Sequence, residues 1–535
     1  TYNVAVGYFA GVSVTTGVQN TLIGGLAGSS LTTPNQNVAV GHGTLDAETA
    51  GARNTAIGTN SLTTQNVTTG GNVYNVGLGY FAGANITTGI QNTLIGSLAG
   101  DALTDADRNI AIGYQALTTD DLGSRTVALG AGAVFSQNYA TATDSHNIGI
   151  GDLSLFYNVT GVNNTFVGSA AGLGASGNSH SNNTGIGYAA GGAITTGVQN
   201  TLVGSRAGDA LTTGDSNVAV GVSALTSDTK GERAVAVGEG SLHTQNFSTS
   251  QNNYNVGIGY DAGFSVTTGS INVFVGGLSG DAILSSHSNV AVGYNSLSAD
   301  TLGNESTAIG KSALASQNFT TSTDTLNVAV GTDAGANVST GVQNTFIGAR
   351  AGDSFTSGVQ NTILGANTDT SGAGGDNRIG IGVSLTLTTN SQIKIGNAST
   401  FIENTWGSNA TWSHSSDERL KENIQDATLG LSFINDLRTV NYNWRLQKDV
   451  PEELRNDNGY EKETEVRQHG LVAQEVKSAL DKAGVDTFLG WSEGQDGVQM
   501  ISESMFVFPL IKAVQELSAQ ITTLQSEIET LKSGG

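Results

Sequence analysis

The chain has 535 residues, of which 74 are Gly, three are Pro and none is Cys, and its formal net charge is −23. So acidic a chain with no basic cluster is no binder of nucleic-acid backbones, which needs Lys and Arg to displace counterions. Without Cys it holds no disulfide, thiolate metal site or cysteine nucleophile, and no apolar run approaches the ~20 residues of a membrane span.

Composition divides the chain near residue 400. Residues 1–415 carry 10 Lys and Arg against 24 Asp and Glu, whereas residues 416–535 carry 12 and 21, and all four Trp fall between Trp406 and Trp491. The sequence opens at Thr1 with no basic-plus-apolar leader in view, and because it lacks an initiator Met a trimmed upstream segment is expected.

A repeat organises residues 1–400. The pattern Asn-x-x-(Val/Ile/Leu)-Gly begins at Asn3–Gly7 and recurs at Asn20–Gly24, Asn37–Gly41, Asn54–Gly58 and Asn75–Gly79. Its Gly advances by 17 residues almost throughout up to Gly396, with steps of 21 after Gly58, Gly130, Gly238 and Gly310, one of 19 after Gly168 and a last one of 14. A 72-residue super-repeat therefore lies on the basic one. Gly at this density costs ~1 kcal/mol per helical position, so each unit is predicted to hold one short strand and Gly-rich turns. The expected fold is mainly β: a β-solenoid of one unit per rung, with rungs stacked at ~4.8 Å into a rod of about 110 Å.

Both faces of the predicted strands are apolar. The third site is always Val, Ile or Leu (Val6, Ile23, Val40, Ile57, Leu78) and is expected in the coil core. The intervening site is small or apolar as well (Ala5, Leu22, Ala39, Gly77, Phe166), where a half-exposed strand would alternate with polar residues. Burial on both sides implies coils packed about a common axis. The Asn that opens each unit is expected to stack into a ladder that bonds the turn backbone.

The runs Asn3-Val4-Ala5-Val6-Gly7 and Asn109-Ile110-Ala111-Ile112-Gly113 resemble head repeats of trimeric autotransporter adhesins, and related repeats occur in fibre proteins of tailed phages. The resemblance implies a homotrimer of β-rolls that adheres to surfaces. The unit here is longer, which leaves an interwoven triple β-helix open.

The four longer steps carry Gln65-Asn66-Val67, Gln137-Asn138-Tyr139, Gln245-Asn246-Phe247 and Gln317-Asn318-Phe319, with Tyr74 and Tyr254 following two of them. An aromatic ring covers the C–H face of a sugar while amides bond its hydroxyls. These loops are thus candidate contacts to a host cell-surface glycan or protein receptor, multiplied along the rod; the alternative is that their aromatics pack locally. The seven His show no ligand spacing, so no metal site or cofactor is expected, and Asp101, Asp105 and Asp107 read as turn residues rather than as a hydrolase pair.

Residues 401–415 are expected to be a linker, 416–509 an α+β domain and 510–532 a coiled coil whose seam is Leu510, Val514, Leu517, Ile521, Leu524, Ile528 and Leu531. The charged stretch Lys448–Arg467 reads as a surface loop. Ser416 or Asp417 suits a helix N-cap. Ser416-Asp417-Glu418-Arg419-Leu420-Lys421-Glu422-Asn423-Ile424, then Leu437 to Trp444, then His469-Gly470-Leu471-Val472-Ala473-Gln474-Glu475-Val476, then Phe508 to Leu517, stand in the order of the endosialidase-type C-terminal intramolecular chaperone, which this segment resembles. In that family the domain trimerises, directs folding of the fibre ahead of it and cleaves itself off. The resemblance places a Ser–Lys pair at Ser416 and Lys421 and the scissile bond between Ser416 and Asp417. A helper fits the physics, since near-identical rungs permit slipped registers and non-local β assembly is slow.

The expectation from sequence is a receptor-binding tail fibre of a virion, extracellular, used for host attachment, with self-cleavage as its only catalysis. It makes no contact with nucleic acid and inserts in no membrane. The alternatives are a bacterial trimeric surface adhesin and a polysaccharide-degrading tailspike.

Overall fold

The computed structural model describes residues 2–406, 413–414, 416–454, 465–494 and 497–534. They fall into two compact units, Thr1–Ser415 and Ser416–Gly535.

In the first unit each repeat is one rung of a β-solenoid. Three-residue strands such as Val4–Val6, Thr21–Ile23 and Val38–Val40 pair in parallel, one repeat apart, with Val4 opposite Thr21, Ala5 opposite Leu22 and Val6 opposite Ile23. Among the described residues the column grows to a single 25-stranded sheet. Each strand pairs with the next rung of its own chain, so the coil is self-contained and not an interwoven triple helix. The rest of each rung is turns, stitched to the next by bonds such as Leu26 N to Tyr8 O at 2.8 Å and Gly28 N to Thr44 O at 2.9 Å. Gly is required where the strand enters the turn: Gly96 has φ +129°, and a Cβ there would stand 2.5 Å from the carbonyl oxygen of Gly113.

The strand faces are the reverse of the expected assignment. The middle residue points into the coil: Leu22, Ala39, Ala56, Leu94, Phe166, Phe274 and Phe346 are all buried. The Val, Ile or Leu at the third site points outward and is partly exposed, 38 % at Ile23 and 43 % at Ile186. The reason is space. The interior is narrow and is shared with a column of small residues three past the Gly, such as Ala27, Thr44 and Ser61, so large side chains fit only beside small ones. The ring of Phe166 fills the room that a side chain at Gly185 would need.

The Asn ladder forms as expected. Asn20 Oδ1 accepts from Asn37 N at 2.9 Å and Asn37 Oδ1 from Asn54 N at 2.8 Å, while Asn37 Nδ2 donates to Gly51 O at 3.1 Å across the turn. These buried amides satisfy backbone groups that the Gly-rich turns would otherwise leave unpaired.

The sheet does not pass into a linker at residue 401. Phe401–Thr405 turns back antiparallel on Gln392–Asn397, Ile402 opposite Ile395, and Lys394 Nζ lies 3.6 Å from Glu403 Oε2. That hairpin covers the last open strand edge. Residues 407–412, with Trp412, lie outside the described residues, as do 455–464 of the charged stretch Lys448–Arg467.

The second unit is α+β, with helices α1 (Leu431–Asp436), α2 (Ala473–Ala483) and α3 (Val507–Ser533). Two antiparallel pairs accompany them, Val440–Tyr442 with Gln468–Gly470 and Trp491–Glu493 with Gln499–Ile501. Leu429, Phe433, Val476, Ala479, Leu480 and Phe506 form its core. The heptad seam of α3 is exposed along its length, from Leu510 at 48 % to Leu531 at 77 %.

Candidate self-cleavage site

Ser416 and Lys421 flank a single 3-10 turn, Glu418–Leu420. Asp417 caps it: its Oδ1 accepts from Arg419 N at 2.9 Å, and Arg419 Nη2 donates to Asp417 Oδ2 at 2.6 Å. The guanidinium holds the Asp417 carboxyl below the usual carboxylate range. The chain leaves the turn extended at Lys421 (φ −122°, ψ 147°), which brings Nζ back to donate to Ser416 Oγ at 2.7 Å. The N-cap and the Ser–Lys contact therefore coexist, five residues apart in sequence.

A serine hydroxyl attacks a carbonyl only when a base takes its proton, and lysine is such a base only where burial disfavours its charged form. In the single chain Ser416 and Lys421 are both exposed. So are the neighbouring apolar side chains Leu420 and Ile424, at 73 % and 64 %. The two side chains are in hydrogen-bond contact, and neither is desolvated.

The later runs hold the unit together. His469 sits in the strand that pairs with Val440–Tyr442, and Glu475, in the first turn of α2, takes Arg438 Nε at 3.2 Å. Glu516 of α3 reaches back to accept from Leu431 N at 2.8 Å, satisfying an open donor at the start of α1. Sequence reading assigned no role to Glu516 or Arg438. Their signal was only that an acid and a base recur within the motif runs.

The loop residues expected to touch a receptor divide. Gln65, Gln137, Gln245 and Gln317 are wholly buried, and Tyr139, Phe247 and Phe319 nearly so. Each Gln bonds a buried acid one rung earlier and a ladder Asn: Gln65 Nε2 donates to Glu48 Oε2 at 2.9 Å, and Gln65 Oε1 accepts from Asn75 Nδ2 at 2.8 Å. Tyr139 OH donates to Gly161 O at 2.8 Å. These seven side chains face the coil interior, a correction to the expected surface placement, because each Gln is drawn in to bond a buried carboxylate one rung earlier. The Asn members stay outside: Asn138, Asn246 and Asn318 are exposed and Asn66 is half-buried. Tyr74 and Tyr254 are exposed too, the first bonded through its OH by Arg53 Nη1 at 2.6 Å.

Asp101, Asp105 and Asp107 bond neighbouring rungs, as in Ile90 N to Asp107 Oδ1 at 2.8 Å. Among the described residues no group of three or more His, Asp or Glu is gathered for a metal ion, and no helix is long and apolar enough to cross a membrane.

Residues 416–485 match the family model described as chaperone of endosialidase. The match opens on Ser416, which is also the first residue of the second compact unit. The chain thus carries an endosialidase-type chaperone region behind a β-solenoid. No curated protein and no solved structure matches it.

Proposed function

We propose that this chain is a viral tail fibre for attachment to a host surface, assembled as a homotrimer by its C-terminal unit, which then cuts itself off. The observation that carries the reading is Lys421 Nζ at 2.7 Å from Ser416 Oγ, at the residue where the chaperone match begins. Cleavage adds water across the Ser416–Asp417 bond, leaving a carboxylate on Ser416 and an amino terminus on Asp417. Assembly would supply the burial that the exposed pair lacks, so that cutting follows correct registration of the chains. A cut fibre would then be held by its unfolding barrier. Host contacts are assigned to the exposed side chains of the four long steps, with Asn66, Asn138, Asn246 and Asn318 as the candidates that remain at the surface.

The test is expression of the whole chain followed by a denaturing gel. Residues 417–535 should appear as a separate piece, and Ser416→Ala should stay intact. Equal cutting of Ser416→Ala would remove the Ser–Lys assignment.

A further inference from the structure

The first and third residues of every rung strand point away from the coil and form two adjacent columns, for example Val76 and Leu78, Ile110 and Ile112, Val256 and Ile258. The third-site column is Val, Ile or Leu without exception from Val6 to Ile395, and the first-site column is Val, Ile or Thr. Neither contains a charged residue, although residues 1–415 carry 24 Asp and Glu against 10 Lys and Arg. The charge lies elsewhere on the rungs.

Stacked at ~4.8 Å, these columns make an uncharged band about 110 Å long, apolar throughout at the third site and Val, Ile or Thr at the first. Its exposed area is on the order of 1,000 Å² or more, beyond the few hundred Å² that a monomer ordinarily leaves bare and above the ~800 Å² per partner of a stable interface. The band advances by one β-branched or leucine side chain per rung. A partner that matches it throughout must have the same rise over the same length.

We infer that this band is the surface by which copies of the chain pack on one another, parallel and in register, with the third-site Val, Ile and Leu at the shared axis. The inference rests on the homotrimer reading and specifies its contact: the sheet face, and not the turns, lies inside the assembly. Only a second copy offers the same rise, the same length and the same absence of charge. An acidic chain brought against itself would repel everywhere else on its circumference. The interior column could not do this work, since it is already filled by its own chain.

Because the chain has no Cys, single-cysteine probes read the contact directly. Leu78, 41 % exposed, lies in the band, and Asn85, also exposed, lies about half-way round the same rung. The full chain is made as Leu78→Cys or as Asn85→Cys, oxidised mildly and run on a non-reducing denaturing gel, with sedimentation of the unoxidised sample alongside. The expected result is a cross-linked dimer band for Leu78→Cys, none for Asn85→Cys, and the mass of three chains for both. Cross-linking at Asn85 alone, or at neither position in a sample that sediments as a trimer, overturns the inference and leaves the cleavage reading standing. A folded monomer overturns the inference and the homotrimer together, while the Ser416→Ala comparison still reports on self-cleavage.

Discussion

Gln137 Nε2 donates to Asp120 Oδ2 at 2.5 Å, and both side chains are wholly buried inside the solenoid. The same relation recurs once in each 72-residue block, between Gln65 and Glu48, Gln245 and Asp228, and Gln317 and Asp300. In every case the acid also accepts a backbone N–H of its own turn, from Gly123, Gly51, Gly231 and Gly303. The Gln passes the bond on to a ladder Asn: Asn147, Asn75, Asn255 or Asn327. A rung with this acid fits only beneath a rung with this Gln. In an array of near-identical repeats that is a register mark.

Breaking the mark should therefore cost more than a surface change. Gln317→Leu leaves the Asp300 carboxylate and the Asn327 amide short of a partner, at about 1–3 kcal/mol for the uncompensated group. Gln317→Glu is more informative, because it sets two carboxylates at the 2.5 Å contact and they cannot both ionise. Its apparent melting temperature should lie well below that of the parent at pH 7 and recover most of the gap at pH 4. Ser248→Ala in an equivalent loop should match the parent at both.

Burial raises the proton affinity of Asp120 and Asp300, opposed by the bonds from Gln137 and Gln317. Asp353 is pushed up to about 6, first by burial and then by its bond and charge contact with Asp369. For a raised acid the native state keeps a proton that the unfolded chain has lost. Its contribution is full below the unfolded value of 3.8 and declines as pH climbs to about 6. Asp353→Asn should accordingly flatten part of the fall in apparent melting temperature between pH 4 and pH 6. A variant curve parallel to the parent's would show that Asp353 titrates normally.

The period, the single strand per rung and the Asn ladder were legible because a 17-residue repeat places each residue on its own equivalent, so any polar group that recurs must bond itself or the turn. The direction of the strand was not legible. Both faces are apolar, so alternation carried no contrast. A signal was present all the same: the middle site runs Gly77, Leu94, Ala111 and Gly149, Phe166, Gly185, a trade of volume between neighbours that marks a packed interior. The uniform Val, Ile and Leu of the third site marks a surface. The burial of Gln65 and its equivalents is not legible in the sequence, because the acid that binds each of them stands 17 residues earlier in the chain and becomes its neighbour only once the rungs are stacked. Ser416 and Lys421 were readable from the motif, and a single 3-10 turn is all that joins them.

The Ser416–Lys421 contact separates a base from a mere hydrogen-bond donor through Lys421→Arg. Guanidinium can donate to Ser416 Oγ as the ammonium does, but it does not give up its proton in proteins. The chain should assemble and remain uncut, with residues 417–535 absent as a separate piece. Cutting at the parent's rate would mean that Lys421 only positions the serine.

The exposed seam of α3 offers a test of whether assembly and cutting are linked. Ile521, 49 % exposed, stands in the middle of the seven-residue seam from Leu510 to Leu531. The helix meets its own unit elsewhere, through Glu516 at the start of α1 and through buried Pro509 and Ala513. Ile521→Asp should therefore leave the fold of that unit in place while setting like charges side by side along any coiled coil. If chains are aligned through this seam before Ser416 and Lys421 are desolvated, the variant should stay uncut and sediment as monomer or aggregate, with helical circular dichroism retained. A variant that is cut as fast as the parent would place the desolvation within one copy, and the cleavage would then be independent of assembly.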